Sequence, residues 1–206
     1  MSATRPALDS PDQQQEWSLL QRSLHGLVAA YASIYQGARW EPSTLPERGP
    51  AILACNHVSV LDPLLLVASN HRLISFLVAR EYYDKKWIRP LLDLSHCIPV
   101  RRDGRDIQGL RRARQVLMDG HVLGIFPEGG VNRHDVQAGI AWLVKESGAA
   151  VVPARIIGAR QGKSDLRTWL QRQHPLLRYG VPLHFHRDAK AGEILGAIMS
   201  AIATLA

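Results

Sequence analysis

The chain has 206 residues, of which 46% are hydrophobic and 21% are charged, a composition that excludes a disordered or low-complexity protein and suits one domain with a substantial core. Lys and Arg number 25 against 18 for Asp and Glu, and the formal net charge of +7 favours an anionic partner such as nucleic acid, a membrane surface or a phosphorylated small molecule. With only two cysteines, a disulfide scaffold and a cysteine zinc site are excluded, and a reducing compartment is indicated.

The N-terminal part of the chain divides into a polar tail and an amphipathic segment. Residues 1–16 hold no apolar core of a secretory signal, and no apolar run in the chain is long enough to span a membrane, so we expect a protein kept on the cytoplasmic side. Residues 17–36 repeat apolar side chains at helical spacing. This helix either packs on the domain or lies in a membrane surface, where Trp17, Tyr31 and Tyr35 suit the headgroup boundary.

A turn-rich link, residues 36–50, leads into a domain over residues 50–206 in which predicted strands alternate with predicted helices. The predicted strands are 51–56, 73–79, 97–100, 122–126, 149–157 and 181–186. The predicted helices are 62–70, 81–94 with a break near Pro90, 106–119, 136–147 and 191–205, and residues 162–180 are predicted to be irregular. This order predicts an α/β fold, with a mainly parallel or mixed central sheet and helices on both faces. Ligands bind such sheets where strands end and helices begin.

The junction after the first strand of the domain places an imidazole and a carboxylate at the two ends of a four-residue loop. His57 follows the strand, and Asp62 is predicted to cap the next helix, with Pro63 at its first position. A loop this short can fold the carboxylate onto the ring, leaving the other ring nitrogen to accept a proton. Both residues could instead be structural. Ser59 lies beside His57, but the Gly-x-Ser-x-Gly sequence of a serine hydrolase is absent.

Two further junctions carry polar groups. Glu128 and Gly129 lie in a tight turn after the strand 122–126, where backbone N–H groups can approach a ligand and the acid can accept hydrogen bonds from a polyol. A plain solvated turn is the alternative. Arg102 follows a short strand and suits a phosphate, whereas the arginines of the next helix fit a solvated basic face. No aromatic residue lies between residues 88 and 125, which argues against nucleic-acid binding.

In this order and spacing, four segments resemble the motifs of glycerolipid acyltransferases of the 1-acylglycerol-3-phosphate O-acyltransferase type. Those motifs are Asn-His-x-x-x-x-Asp, an apolar strand ending in Arg, Phe-Pro-Glu-Gly, and an apolar strand carrying a Pro. The resemblance covers about residues 50–158. The matching residues are Asn56, His57 and Asp62, then 98–102 with Arg102, then 126–129, and finally 151–153.

The resemblance implies transfer of a fatty acyl group from a thioester co-substrate, acyl-ACP or acyl-CoA, to the hydroxyl of a lysolipid, with no bound cofactor or metal. Because only one helix precedes the domain, we expect a peripheral membrane protein and not a spanning one. The acceptor it implies most directly is 1-acyl-sn-glycerol-3-phosphate, which gives phosphatidate. A different lysophospholipid or an amino-acid lipid is an alternative acceptor, and a non-enzymatic binder of acidic lipid or nucleic acid is a third reading. The implied catalytic residues are His57 as general base and Asp62 as its orienter; the implied substrate-binding residues are Asn56, Arg102, Glu128 and Gly129.

Three positions depart from the family pattern. Gly130 replaces a frequent Thr, Val131 occupies the position of a frequent Arg, and Gln137 replaces a common Lys. All three lie on the acceptor side, so they bear on the identity of the acceptor more than on the chemistry.

Overall fold

A computed structural model of the chain describes residues 17–86, 88–101, 106–128, 133–159 and 169–206. The strands among them are β1 Arg39–Trp40, β2 Ala51–Cys55, β3 Ile74–Ala79, β4 Ile98–Val100, β5 Val122–Ile125, β6 Ala150–Ile157 and β7 Leu176–Tyr179. The helices are α1 Leu19–Ala30, α2 Asp62–Ala68, α3 Arg80–Tyr83, α4 Arg89–Leu94, α5 Ile107–Met118, α6 Arg133–Ser147 and α7 Ala191–Thr204, and α1 continues as a π-helical turn, Tyr31–Tyr35. The predicted tail, residues 1–16, lies outside the described residues.

The described strands form one seven-stranded sheet in the order β1-β7-β6-β2-β5-β3-β4. Every pairing is parallel except that between β6 and β7, so the sheet is mixed. β2 lies at its centre between β5 and β6, and all five of its residues are buried. A strand covered on both faces needs apolar side chains at every position, which is why this segment is a continuous apolar run.

Two apolar layers cover the two faces of the sheet. Alternate residues of β2 point to opposite faces, so Leu53 lies in one layer and Ile52 in the other. The first layer includes Leu65 and Leu66 of α2 and, from α1, the partly buried Val28. The second layer is built from α5, α6 and α7. The predicted α/β fold, with a mixed sheet and helices on both faces, is confirmed.

The last strand of the sheet in chain order is not the one that was predicted. Residues 181–186 are not a strand, because among them only Leu183 pairs, through two hydrogen bonds of 2.8 and 2.9 Å with Val151. Pro182 has no N–H to donate and so interrupts a ladder at that point. The strand that pairs with β6 is instead β7, which lies within residues predicted to be irregular. On its opposite edge β7 pairs with β1, a strand that lies in the turn-rich link.

Two helix boundaries also differ from the prediction. The interruption predicted near Pro90 within residues 81–94 is present, because the segment forms two helices, α3 and α4. It comes before Pro90, which lies in the first turn of α4, where its missing N–H costs no helical hydrogen bond. The prediction that Asp62 caps α2 is wrong. Leu61 occupies the cap position without a side-chain hydrogen bond, and Asp62 is the first helical residue, with its carboxylate turned back toward the preceding loop.

Candidate active site

The carboxylate of Asp62 is the centre around which the loop between β2 and α2 is folded. Its Oδ2 atom accepts hydrogen bonds from the backbone N–H groups of Val58 and Ser59, at 2.6 and 2.7 Å, and lies 2.9 Å from Nδ1 of His57. Because a carboxylate only accepts, Nδ1 is the donor and Nε2 carries the free lone pair. The Asp62 side chain is fully buried, whereas that of His57 is 41% exposed. The arrangement can orient an imidazole and leave its outer nitrogen to accept a proton.

Asn56 fixes the point from which this loop starts. The backbone pairing of β2 with β6 ends at Cys55 and Ala154. Beyond it, Nδ2 of Asn56 donates to the carbonyl of Ile156 at 3.0 Å, and its Oδ1 accepts from the Ile156 N–H at 2.8 Å. The Asn56 side chain thus adds two hydrogen bonds between β2 and β6 beyond their last backbone pair. These contacts position His57, and the binding of substrate by Asn56 stays a prediction.

A second loop meets the first because β5 is paired with β2. Phe126 follows β5 directly, and its ring stacks on the His57 imidazole with a centroid separation of 4.3 Å and an interplanar angle of 25°. Glu128 lies exposed in the same turn. Its role in binding substrate stays a prediction, and the predicted Gly129 and Arg102 lie outside the described residues.

Neither of the two potential nucleophiles nearest to His57 in sequence, Ser59 and Cys55, is suited to attack. Ser59 is buried and its Oγ accepts a hydrogen bond of 3.3 Å from the N–H of Leu61. Burial, together with the negative charges of Asp62 and Glu128, raises the pKa of the Cys55 thiol far above its ordinary value. A thiol that stays protonated is a poor nucleophile, so the site favours a base acting directly on a substrate hydroxyl.

His57 forms part of the wall of an apolar groove of about 970 Å³. The groove runs beneath α1, which is held over it at two points. Nε2 of His25 donates to the carbonyls of Val67 and Asn70 at 3.1 and 3.0 Å, and Nε2 of Gln21 donates to the carbonyl of Leu94 at 2.9 Å. Sequence reasoning missed this groove because its walls come from distant segments. Apolar side chains that line it include Leu24, Val28, Val67, Leu77, Leu91 and Trp169.

A basic cleft of about 380 Å³ opens beside the groove and shares Arg101, Asp106 and Ile107 with it. Arg80 and Arg112 also line the cleft. Sequence reasoning did not predict Arg80 here. Parallel pairing of Ala79 with Val100 brings together the residues that follow β3 and β4, namely Arg80 and Arg101, and a correct strand order is the signal that would have found them.

The acidic residue of the cleft, Asp106, is already occupied by backbone donors. Its two oxygens accept from the N–H groups of Gly109 and Arg101, at 2.8 and 2.9 Å, and it caps α5. Burial acts to raise the pKa of this carboxyl, but those hydrogen bonds and the charges of Arg101 and Arg112 outweigh it and hold the pKa below its ordinary value. The cleft therefore presents a positive surface suited to an anion.

A buried carboxylate that orients an imidazole beside a large apolar groove defines an enzyme with a general base and an apolar substrate. The family model described as Acyltransferase matches residues 40–157, and the chain belongs to this acyltransferase family. The family resemblance carried by the four motifs and the enzyme class that it implies, an O-acyltransferase, are thereby confirmed.

The chain is also similar to individual members of known function and structure. It is 28% identical over 148 residues to the 1-acyl-sn-glycerol-3-phosphate acyltransferase of Bacillus subtilis (strain 168), a match that covers 70% of this chain and 72% of that protein. The crystal structure of the 1-acyl-sn-glycerophosphate (LPA) acyltransferase PlsC from Thermotoga maritima has a TM-score of 0.69 at 16% identity. It covers 89% of this chain and 79% of that one, and it supports the fold.

Proposed function

We propose that this enzyme transfers a fatty acyl group from a thioester to the free hydroxyl of 1-acyl-sn-glycerol-3-phosphate and releases phosphatidate. The observation that carries the proposal is the position of His57, which is oriented by Asp62 in the wall of an apolar groove that opens beside a basic cleft. The similarity to the Bacillus subtilis protein supports the same acceptor.

In the proposed reaction, Nε2 of His57 accepts the proton of the acceptor hydroxyl while the oxygen attacks the carbonyl carbon of the thioester. The new C–O bond forms, the C–S bond breaks, and the proton passes from the imidazolium to the departing thiolate. The products are the ester and a free thiol. The Asp62 carboxylate, 2.9 Å from Nδ1, stabilises the imidazolium that forms during the step.

The groove and the cleft match the two chemical halves of the acceptor. A volume of about 970 Å³ with mainly apolar walls suits a hydrocarbon chain, and the neighbouring guanidinium groups suit a phosphate. We therefore assign the phosphate to the cleft, where Arg80, Arg101 and Arg112 lie. The binding of the phosphate by Arg102 stays a prediction from the sequence. Glu128 and Gly129 remain the candidates for the glycerol hydroxyl.

Acyl transfer from labelled acyl-CoA and acyl-ACP tests this proposal directly. The acceptors are 1-acyl-sn-glycerol-3-phosphate, lysophosphatidylcholine, lysophosphatidylethanolamine, a monoacylglycerol and an amino-acid lipid. We expect phosphatidate as the main product and at least roughly tenfold lower kcat/KM on the two acceptors without a phosphate, the monoacylglycerol and the amino-acid lipid, because an ionic contact contributes on the order of 1.5 kcal/mol or more. Product from another acceptor alone would contradict the assigned acceptor, and no product from any pair would contradict the function.

We further propose that the enzyme binds the cytoplasmic face of a membrane peripherally, through α1. One face of α1 lines the groove, while its outer face exposes Leu19, Leu20 and Leu27, the first of them to 83%. Ile34, in the π-helical turn, is 75% exposed. In the described part of the chain, no helix is long and apolar enough to cross a membrane. A helix with an exposed apolar face of this kind suits the plane of the interface.

Changing Leu20 and Leu27 to Glu is expected to reduce binding to liposomes by roughly tenfold or more, because each buried Leu contributes about 1.5–3 kcal/mol. The two residues are seven apart and lie on one face of α1. Flotation with vesicles of phosphatidylglycerol and phosphatidylethanolamine measures the effect. The control, Ser200→Glu with Ala203→Glu, adds the same charge on exposed positions of α7 and should float like the wild type. Undiminished flotation of the α1 variant would refute the assignment.

A further inference from the structure

Three rings form a column in the wall of the groove. The imidazole of His57 stacks on Phe126 at 4.3 Å between centroids, and Phe126 lies nearly parallel to Phe76, at 5.9 Å and 11°. Phe76 is in the middle of β3 and only 4% exposed, so the column runs from the core of the sheet to a partly exposed imidazole. Such offset stacks contribute about 0.5–1.5 kcal/mol each beyond the area that they bury.

The column depends on a glycine at its base. Gly124 of β5 is the direct cross-strand partner of Phe76, and the Phe76 ring lies over its Cα. A Cβ atom at position 124 would lie 2.3 Å and 2.5 Å from two atoms of that ring and 2.9 Å from a methyl of Ile74. A glycine inside a strand is typical of such a close approach, because any side chain there would displace the ring.

His57 needs support beyond its hydrogen bond. The contact between Nδ1 and Asp62 fixes one ring atom but leaves the plane of the imidazole free to tilt about that point. The face of Phe126 removes this freedom and fixes the direction of Nε2. Phe126 itself follows β5 in a loop, and Phe76 is the buried ring beside it. The orientation of the imidazole is therefore linked to the packing of Phe76 over Gly124.

The geometry points to Phe76 and Gly124 as positioning residues for His57, acting through Phe126. This inference rests on the proposed function for the role of His57 as the base. Its alternative is that the column only shapes the groove, in which case these residues affect the binding of substrate and not the chemical step. The two alternatives differ in which kinetic constant changes.

Gly124→Ala tests the inference with two measurements. Its methyl group displaces the Phe76 ring, and we expect kcat for acyl transfer to fall about 10- to 100-fold with KM changed by less than about twofold, because small displacements of a reacting group have effects of this size. The second measurement is the NMR spectrum of the full chain with labelled histidine. The His57 ring protons, identified by their loss in His57→Gln, should move downfield as the stacking with Phe126 is lost.

Two further variants keep the test decisive. Phe76→Leu removes the ring and should lower kcat and shift the His57 signal in the same direction, so it decides the outcome if Gly124→Ala does not fold. Combined with Gly124→Ala, it should show no further loss, because the ring that meets the new methyl is absent. The matched control is Val122→Ala, which removes volume from the same strand and the same apolar layer without touching the column. It should lower thermal stability and leave kcat and the His57 signal unchanged.

Two results would overturn the inference. The first is wild-type kcat in folded Gly124→Ala or Phe76→Leu with an unmoved His57 signal. The second is a raised KM at unchanged kcat, which would assign the column to the groove alone. The NMR measurement does not depend on acyl transfer, so a wild type without activity would contradict the proposed function while the change in the His57 signal still reports on the column.

Discussion

His57→Gln is expected to reduce the rate of acyl transfer by about 10²- to 10⁴-fold, the range that a general base contributes. The amide of Gln can still donate a hydrogen bond toward Asp62, so the buried carboxylate keeps a partner and the fold should remain intact. The measurement is the initial rate of ester formation from a labelled thioester, beside thermal unfolding of the same preparation.

Two control variants test whether the loss of rate is specific to His57. His186→Gln makes the same substitution at an exposed histidine outside the groove and should act like the wild type. Ser59→Ala removes the hydroxyl nearest to His57 in sequence, and it should keep activity within a few-fold because that hydroxyl is buried against the N–H of Leu61. A His57→Gln enzyme that retains more than a tenth of the wild-type rate, or a Ser59→Ala enzyme that loses it, would contradict the mechanism.

Asp62→Asn separates the charge of the orienting group from its shape. The amide oxygen can still accept from Val58 and Ser59, but it no longer supplies the negative charge that stabilises an imidazolium. We expect kcat to fall about 10²-fold or more. The hydrogen bonds to Oδ2 would also become bonds to a neutral acceptor, and the new NH₂ group would find no partner at the buried position of Oδ1 among the described residues. The free energy of unfolding should therefore fall by about 1–3 kcal/mol.

The control for this variant is Asp119→Asn, at an exposed carboxylate that accepts a hydrogen bond from Gln115 on the surface. It should change neither the rate nor the melting temperature appreciably. Asp62→Asn with a lowered melting temperature but the full rate would show that the carboxylate supports the loop and has no part in the chemistry.

The parts of the fold that could be predicted are those whose signal is local. β2 and β5 are buried at every position and β6 at its first five, and the apolar runs at these positions gave boundaries within about two residues of those observed. β1 and β7 have two and four residues, too few for a period to be read, and β1 exists only because β7 is beside it. Which short segment joins a sheet edge depends on contacts between distant parts of the chain.

The same distinction separates the predicted from the unpredicted parts of the site. The approach of Asp62 to His57 followed from a four-residue loop, which limits how far apart its ends can lie. The cap assigned to Asp62 was wrong because three donors in that loop compete for the same oxygen. The ring of Phe126 and the cleft at Arg101 depend on strand order, which no pattern within a single segment contains.

The two hydrogen bonds between Asn56 and the backbone of Ile156 have a consequence for the dynamics of the loop that carries His57. The loop over residues 57–59 has no regular secondary structure, yet its start is bonded to the backbone of β6 and two of its N–H groups point into a buried carboxylate. Opening this loop therefore requires the loss of contacts at the centre of the sheet. Its amide hydrogens should exchange with solvent on the timescale of the core and not of a surface loop, so the base belongs to the most slowly opening unit of the molecule.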